Sequence, residues 1–325
     1  MAKSIMKKSI KFKVKGNSPI NEDIINEYKG YYNTCSNWIN NNLTSITIGE
    51  MGKFLKDVAH KTTVYIDVAL SDEWKDKPMY YLFTKIMNGK FELDKVVATS
   101  DLGRKGCLKL RSLVDYLQDC SVFQLDTEPE LDRYFKEVNG GMFLSQRDIH
   151  IIRMPKYGER VKVKTWVYEV NPSYGYRNNN VYDEEGRVCV ESSALGVFVK
   201  YDTGALLRVP KEIMDSMPRY ERHPMEYRPR KIRLPKDVEP ELVDEYRVRE
   251  YHIDGNKHMN NAWYVAIGEE YLPRDWEFTR VRIEYLLPAV YGDVMRVERY
   301  AIENGYIVVM RREDGKVYSI VEFVE

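Results

Sequence analysis

The sequence predicts an α+β fold with two tandem copies of one unit, in each of which an antiparallel sheet wraps a long helix. Three observations support this prediction. A strand–turn–strand pattern occurs twice, its strands alternate apolar and polar residues, and each occurrence follows a segment with helical character. Two such copies in one chain would pack as an internal pseudo-dimer.

The strand pattern is clearest where DIHIIRMPKYGERVKVKTW (148–166) aligns without gaps on RIEYLLPAVYGDVMRVERY (282–300). Farther along the chain, DEEGRVCVE (183–191) matches REDGKVYSI (312–320). Both pairs have strand patterns around a turn that contains glycine, which is typical of antiparallel hairpins. The chain therefore repeats several long strands in the same order.

The helix of the first copy is predicted within SDLGRKGCLKLRSLVDYLQDC (100–120), which stands where IDGNKHMNNAWYVAIGEEYL (253–272) stands in the second copy. Its apolar residues follow the i, i+3, i+4, i+7 spacing of an amphipathic helix, at Leu110, Leu113, Val114 and Leu117. Because a single helix is buried only when a sheet curls around it, each copy fits the architecture known as a hotdog.

Composition divides the chain further. Residues 1–86 contain lysine but no arginine and lack the repeat, so we expect a separate leading segment there. The first hotdog is expected at residues 87–212 and the second at 246–325. Between them, residues 213–245 contain five prolines and many arginines and lysines, which is typical of an extended linker.

The totals exclude several classes of protein. The formal net charge is zero, so neither a nucleic acid nor a membrane surface is an expected partner. No apolar run is long enough to span a membrane, and the basic amino terminus lacks the apolar stretch of a secretory signal. The four cysteines are far apart without C-x-x-C spacing, which argues against zinc or disulfides and predicts a cytoplasmic protein without a metal.

The stretch YHIDGNKHMNNAWY (251–264) concentrates polar residues at the start of the second helix. A polar run of this density can be the chemical centre of a protein. A solvated turn is the plain alternative. The first copy has DLGRKGCL where the second has DGNKHMNN, so the fold does not need Asn and His there.

A family resemblance rests on D-x-N-x-H-x-N-N-x-x-Y, the helix after it, E-Y on the next strand and G-D at the following turn. These features, and LRSLVDYLQDCS in the first copy, resemble the acyl-ACP thioesterases of plants and bacteria over residues 87–325. The resemblance implies a double hotdog that hydrolyses fatty acyl–acyl carrier protein (ACP) thioesters in fatty acid biosynthesis, without a cofactor. The family's catalytic residues map onto Asp254, Asn256 and His258. These residues suit the implied hydrolysis, because His258 can take a proton near neutral pH, the amide of Asn256 can stabilise an oxyanion, and Asp254 can orient a donor or a water.

One position departs from the family pattern. The family has a Glu four residues beyond the Glu of the E-Y pair, whereas this chain has Pro288, and Ala289 stands where the plant enzymes have a Cys. A thiol nucleophile is therefore excluded there, and the carboxylate that would activate water is missing. Its candidate replacements lie on the same strand and on the second helix, at Glu284, Glu269 and Glu270.

Substrate contacts are expected from both copies. Asn260 or Asn261 would cap the second helix, whose N-terminal N–H groups could face the developing negative charge. The interior of the first hotdog would hold the acyl chain, with Leu113, Leu117 and Met142 among its walls, although such residues are also typical of a plain core. The basic linker would either dock the acidic carrier protein or be solvated.

The leading segment resembles a different family. The phrases MKKSIKFKVKG, INEYKGYYNTCSNWI and LSDEWKDKPMYYLFTK resemble the amino-terminal segment of a type V CRISPR effector nuclease, whose nuclease carboxylates lie in a distant part of that protein. We therefore expect residues 1–86 to be non-functional. Three alternatives stay open: an acyl-CoA thioesterase, a non-catalytic acyl-carrier-binding protein suggested by Pro288, and a guide-RNA-binding fragment through residues 1–86. A homodimer is compatible with each.

Overall fold

The structure is a computed structural model that describes residues 90–325 and a short antiparallel pairing of Lys13–Val14 with Val64–Tyr65. The chain divides into two compact units, Met1–Gly89 and Lys90–Glu325. The predictions made for residues 1–86, including the resemblance to a CRISPR effector, lie outside the described residues. The following description concerns the second unit.

Residues 90–325 contain ten strands and four α-helices. The strands are β1 (Phe91–Val96), β2 (Gly140–Ile151), β3 (Arg160–Asn171), β4 (Tyr174–Tyr182), β5 (Val188–Lys200), β6 (Glu241–Arg247), β7 (Arg280–Tyr285), β8 (Val294–Ile302), β9 (Gly305–Arg311) and β10 (Val317–Val324). The helices are α1 (Leu110–Leu125), α2 (Pro129–Glu137), α3 (Lys211–Ser216) and α4 (Asn261–Glu270). Single 3₁₀ turns precede the loops that lead into α1 and α4, at Thr99–Asp101 and Glu250–His252.

The ten strands form one antiparallel sheet in the order β1-β3-β4-β5-β2-β7-β10-β9-β8-β6. From the centre outwards the two halves match, because β2, β5, β4, β3 and β1 of the first copy correspond to β7, β10, β9, β8 and β6 of the second. The copies join where β2 pairs with β7, with Asp148 opposite Arg282. This internal two-fold arrangement confirms the predicted double hotdog.

Each copy wraps its sheet around its long helix. Helix α1 packs on β1, β3 and β4, α4 packs on β10, and the two helices pack against each other. The apolar stripe predicted for α1 is buried, and Leu113, Val114 and Leu117 have no exposed surface. The helical spacing of these residues therefore identified the face of α1 that enters the core.

The linker lies across the outer face of the sheet, opposite the helices. It contains neither helix nor strand between residues 217 and 240, yet its backbone is bonded to the sheet. The Glu221 carbonyl accepts the indole N–H of Trp166 at 2.8 Å, and the Glu226 carbonyl accepts Nη2 of Arg280 at 2.8 Å. Ile232 is buried among apolar side chains of the second copy. Strand β6 begins inside the segment expected to be linker.

Candidate active site

The second-copy loop (residues 253–259) is closed by a bridge between its two end residues. Within it, the Asp254 N–H donates to the His258 carbonyl, and the Lys257 N–H donates to the Asp254 carbonyl, both at 2.9 Å. The Asp254 carboxylate accepts the N–H of Asn256 at 2.8 Å. The structure therefore brings the three predicted catalytic residues together on one tight turn.

The first-copy loop (residues 102–108) has the same backbone. The Gly103 N–H donates to the Cys107 carbonyl at 2.9 Å, and the Gly106 N–H donates to the Gly103 carbonyl at 3.0 Å. Gly106 has a φ of 71°, and Lys257 has a φ of 64° at the corresponding place in the second-copy loop. The two loops are therefore equivalent residue by residue.

This equivalence corrects the comparison made from the sequence. The sequence comparison set Asp101 opposite Asp254, but the hydrogen bonds set Asp101 opposite His252, two residues away. The positions of Asp254, Asn256 and His258 are occupied in the first copy by Gly103, Lys105 and Cys107. The sequence alignment placed Asp101 opposite Asp254 because the two residues are identical. The backbones match instead when the two left-handed residues, Gly106 and Lys257, are aligned. In the correct register the first copy has none of the three reactive side chains.

The second-copy loop is open to substrate and anchored at its far end. Asn256 is exposed, and Asp254 and His258 are partly exposed. The Met259 N–H donates to the Ala289 carbonyl at 2.8 Å. The carboxamide of Asn260 accepts the N–H of Ala262 at 2.8 Å, so Asn260 is the N-cap of α4. The positive end of the helix therefore lies directly behind the loop.

Asn261 connects this loop to the other copy. Its side-chain Nδ2 donates to Oε1 of Gln118 on α1 at 3.1 Å. The hydroxyl of Tyr285 donates to the Asn261 carbonyl at 3.3 Å. The start of α4 therefore lies against α1, and the candidate site is bordered by both copies.

His252 holds the second-copy loop from beneath. Its ring is buried, Nδ1 accepts the Arg249 N–H at 2.8 Å, and Nε2 lies 2.9 Å from the Tyr246 hydroxyl. Its carbonyl accepts the N–H of Asn260. Burial, with the charges of Arg111 and Arg249, lowers the pKa of His252 and favours the neutral ring. The sequence does not predict this positioning role of His252.

Glu284 does not reach the loop. It is buried on the outer face, where its carboxylate accepts the N–H of Ile232 in the linker. The sequence predicts Glu284 and Pro288 on the same strand, but β7 ends at Tyr285, before Pro288. No feature of the sequence indicates this linker contact, which engages the Glu284 carboxylate on the outer face of the sheet.

Glu269 and Glu270 lie at the other end of α4. Glu269 is eight positions beyond Asn261 in the sequence, which corresponds to about 12 Å of helix rise. Burial and the neighbouring Glu270 raise the pKa of Glu269, while Arg104 and Lys105 act in the opposite direction. These two basic residues belong to the first-copy loop. Glu269 is therefore a neighbour of the first-copy loop, and Glu270 is exposed.

A different carboxylate lies beside the start of α4. Arg111, Asp115 and Gln118 share one face of α1, because they are four and three residues apart. Arg111 stacks on Trp263 at 3.8 Å from the ring centre, and Gln118 bonds to Asn261. Asp115 lies between these two contacts, and burial is the main cause that raises its pKa. The sequence signal for it was a polar stripe on an otherwise apolar helix.

The predicted acyl-chain residues lie along α1 and β2. Leu113 and Leu117 are fully buried in the core of the first copy. Met142 lines a narrow cavity beyond the carboxyl end of α1. The other lining residues include Leu125, Leu131, Val170, Phe198, Met217 and Arg177. Contact of these side chains with an acyl chain stays a prediction.

Among the described residues, no three His, Cys, Asp or Glu side chains converge as a metal site would require. Within the same part of the chain, no helix combines the length and apolar character needed to cross a membrane.

Comparison with known proteins gives a family. The models of the acyl-ACP thioesterase N-terminal and C-terminal domains match residues 89–217 and 235–318. A search of curated proteins finds no match. A solved acyl-ACP thioesterase from Bacteroides thetaiotaomicron VPI-5482 is 20% identical, with a TM-score of 0.65 over 72% of this chain and 97% of that one.

The 12:0-ACP thioesterase from Umbellularia californica is 15% identical, with a TM-score of 0.65 over 72% of this chain and 96% of that chain. At these identities the structural likeness concerns the fold alone. The family assignment rests on the two family models, which together cover more than half of the chain. The chain belongs to the acyl-ACP thioesterase family and is a thioester hydrolase.

Proposed function

We propose that this enzyme hydrolyses fatty acyl–ACP thioesters at the second-copy loop, with Asp254, Asn256 and His258 as its reactive residues. One observation carries the proposal. The first-copy loop has the same backbone and hydrogen bonds but has Gly103, Lys105 and Cys107 at these positions. The fold therefore does not require the polar side chains of the second-copy loop, and chemistry is the remaining reason for them.

The reaction assigns a role to each group. Water attacks the thioester carbonyl, negative charge develops on the carbonyl oxygen, and the carrier leaves as a thiol. His258 accepts the proton of the water and returns it to the leaving sulfur. The exposed amide of Asn256 donates to the developing oxyanion, supported by the positive end of α4. Asp254 positions Asn256 by accepting its backbone N–H.

Asp115 takes the role of the carboxylate that is missing at Pro288. It lies on the face of α1 that touches the first turn of α4, between Arg111 and Gln118. Nε of Arg111, one turn earlier on α1, lies 3.9 Å from the Asp115 carboxylate. In this place a carboxylate can hold the attacking water and stabilise the imidazolium that forms on His258. The site is then shared between the two copies.

The linker supports a charged carrier protein as substrate. Four of its basic residues are exposed and make no ion pair with any described residue, namely Arg230, Lys231, Arg233 and Lys236. Others are engaged: Arg219 pairs with Asp215, and Arg222 stacks on Tyr227. These exposed cations would attract an acidic carrier protein.

The same proposal places the enzyme in the cytoplasm. Three described cysteines, Cys107, Cys120 and Cys189, are free thiols, which supports a reducing compartment. A homodimer stays a prediction from the sequence, and the mass of the purified protein in solution decides it.

The decisive experiment is a substrate panel. Purified enzyme is given acyl-ACP and acyl-CoA of several chain lengths, and released fatty acid is measured. We expect release from acyl-ACP, with lower kcat/KM for the matching acyl-CoA. Faster release from acyl-CoA would contradict ACP as substrate. Binding of acyl-ACP without release from any thioester would favour the non-catalytic carrier-binding alternative, for which Pro288 is the supporting observation.

A further inference from the structure

A buried arginine in the first copy lacks a matching negative charge. Arg147 on β2 is 1% exposed. Its Nη1 donates to Oδ1 of Asn179 at 3.2 Å and to the Ser192 hydroxyl at 3.5 Å. Its Nε is buried without a hydrogen-bond partner. The groups that favour its charge are Tyr285 and Cys120, and neither is a carboxylate.

This side chain stays cationic at neutral pH. Burial lowers the pKa of Arg147 to about 10, still far above neutrality. A second buried arginine, Arg177, lies close enough that Arg147 lowers its pKa further. Two neighbouring buried cations repel each other, so the arrangement is unfavourable unless a partner compensates it.

Arg177 has a structural role that Arg147 lacks. Its Nη1 donates to the Ser121 carbonyl and its Nη2 to Oε1 of Gln124, both at 3.0 Å. These contacts lie in the last turns of α1, where the helix carbonyls favour a cation. Packing and capping therefore explain Arg177, whereas the hydrogen-bond partners of Arg147, Asn179 and Ser192, are both neutral.

Arg147 lies between the second-copy loop and the cavity of the first copy. On one side it neighbours Tyr285, whose hydroxyl donates to the Asn261 carbonyl at the start of α4. On the other side, its partner Asn179 donates to the Ser121 hydroxyl of α1 at 2.8 Å. Arg177, whose charge Arg147 opposes, lines the cavity of the first copy together with Met142.

We propose that the first copy recognises acyl chains that carry an oxygen acceptor, a hydroxyl or oxo group, which accepts a hydrogen bond from Arg147. This inference rests on the proposed function, because it places the acyl chain in the first copy. A chain running from the loop to the cavity passes Arg147. An oxygen on the chain satisfies the buried donor, whereas a plain methylene chain leaves it unpaired, and sites of this kind reject analogues that lack the polar group.

The test compares substrates that differ by one oxygen. Hydroxylated and oxo acyl-ACPs, with the oxygen at successive positions, are compared with unsubstituted acyl-ACPs of equal length. We expect kcat/KM of the wild-type enzyme to be at least about tenfold higher for the best oxygenated member. In Arg147→Met this preference is expected to disappear, because the variant has no donor for the oxygen on the chain. A wild-type enzyme that prefers every unsubstituted chain overturns the proposal.

Two further measurements separate this proposal from a structural role and from the proposed function. The melting temperature of Arg147→Met should stay level or rise, because an uncompensated buried charge is removed, whereas Arg177→Met should melt lower. Free oxygenated and unsubstituted fatty acids are also titrated by calorimetry. Tighter binding of the oxygenated acid supports the inference even if no thioester is hydrolysed. Equal binding of both acids means that Arg147 is satisfied by water alone, which overturns it.

Discussion

Gly106 and Lys257 occupy the same position in the two loops, and both have a left-handed backbone, with φ of 71° and 64°. Glycine adopts this region freely, whereas an L side chain is strained there by roughly 1–2 kcal/mol. The loop that carries the reactive residues is therefore the more strained of the two.

Substitutions at these two positions should have opposite effects. We expect Lys257→Gly to leave the free energy of unfolding unchanged or to raise it by up to about 1 kcal/mol, and Gly106→Ala to lower it by about 1–2 kcal/mol. Denaturant unfolding of each variant beside the wild type measures both. Equal losses from the two substitutions would show that the two loops are not equivalent.

Substitutions in the second-copy loop should lower kcat, whereas substitutions at the matching positions of the first-copy loop should not. We expect His258→Ala to lower kcat by about 10²–10⁴-fold and Asn256→Ala by about 10²–10³-fold, because a proton carrier and an oxyanion donor are lost. Cys107→Ala and Lys105→Ala are the matched controls and should stay within about twofold of the wild type. Full activity in His258→Ala would remove this loop as the active site.

Asp115 should affect the pH dependence of the rate. The ionised form of Asp115 is the active one, so kcat should fall as the pH drops through the raised pKa of this residue. Asp115→Asn should lower kcat and remove this fall on the acidic side of the pH–rate profile. The matched control is Asp119→Asn on the next turn, where the carboxylate pairs with Lys95 at 3.1 Å. An unchanged pH profile in Asp115→Asn would exclude the assigned role.

The ionised carboxylate of Asp115 should lower the stability of the fold at neutral pH. Because folding raises the pKa of Asp115 above 3.8, its contribution is favourable at lower pH and is lost as the pH rises through the folded pKa. We therefore expect Asp115→Asn to melt at a higher temperature than the wild type at neutral pH. A lower melting temperature at neutral pH would show that the ionised carboxylate stabilises the fold instead.

His252 should make the fold sensitive to acid. Folding lowers the pKa of His252 below 6.5, so the unfolded chain binds this proton more tightly, and the stabilisation present above pH 6.5 is lost as the pH falls through the folded pKa. The difference in melting temperature between pH 7.5 and pH 5 should shrink in His252→Asn, which keeps an acceptor for the Arg249 N–H. The same difference in variant and wild type would argue against this role.

Glu284 should matter for the linker and not for the chemistry. We expect Glu284→Gln to keep kcat within about twofold, because its carboxylate faces the linker. The loss of a charged acceptor for the Ile232 N–H should lower the free energy of unfolding by about 1–2 kcal/mol. A large fall in kcat with unchanged stability would return Glu284 to the active site.

The sequence alone determined the architecture and identified a candidate site. The repeated strands and the spacing of Leu110, Leu113 and Leu117 identified two copies, each with one buried helix, because period and burial are local properties of a chain. The dense polar run at Asp254, Asn256 and His258 is also local. These features are encoded by neighbours in the chain, so they could be found without coordinates.

Only the tertiary structure decided which distant groups meet. The amino-acid sequences of the two loops align best with Asp101 opposite Asp254, but the backbone hydrogen bonds place Asp101 opposite His252. The Ile232 N–H of the linker binds the Glu284 carboxylate. Asp115 lies beside the start of α4 because α1 packs against α4. Such contacts depend on where strands end and how helices cross, and those are set by the whole core.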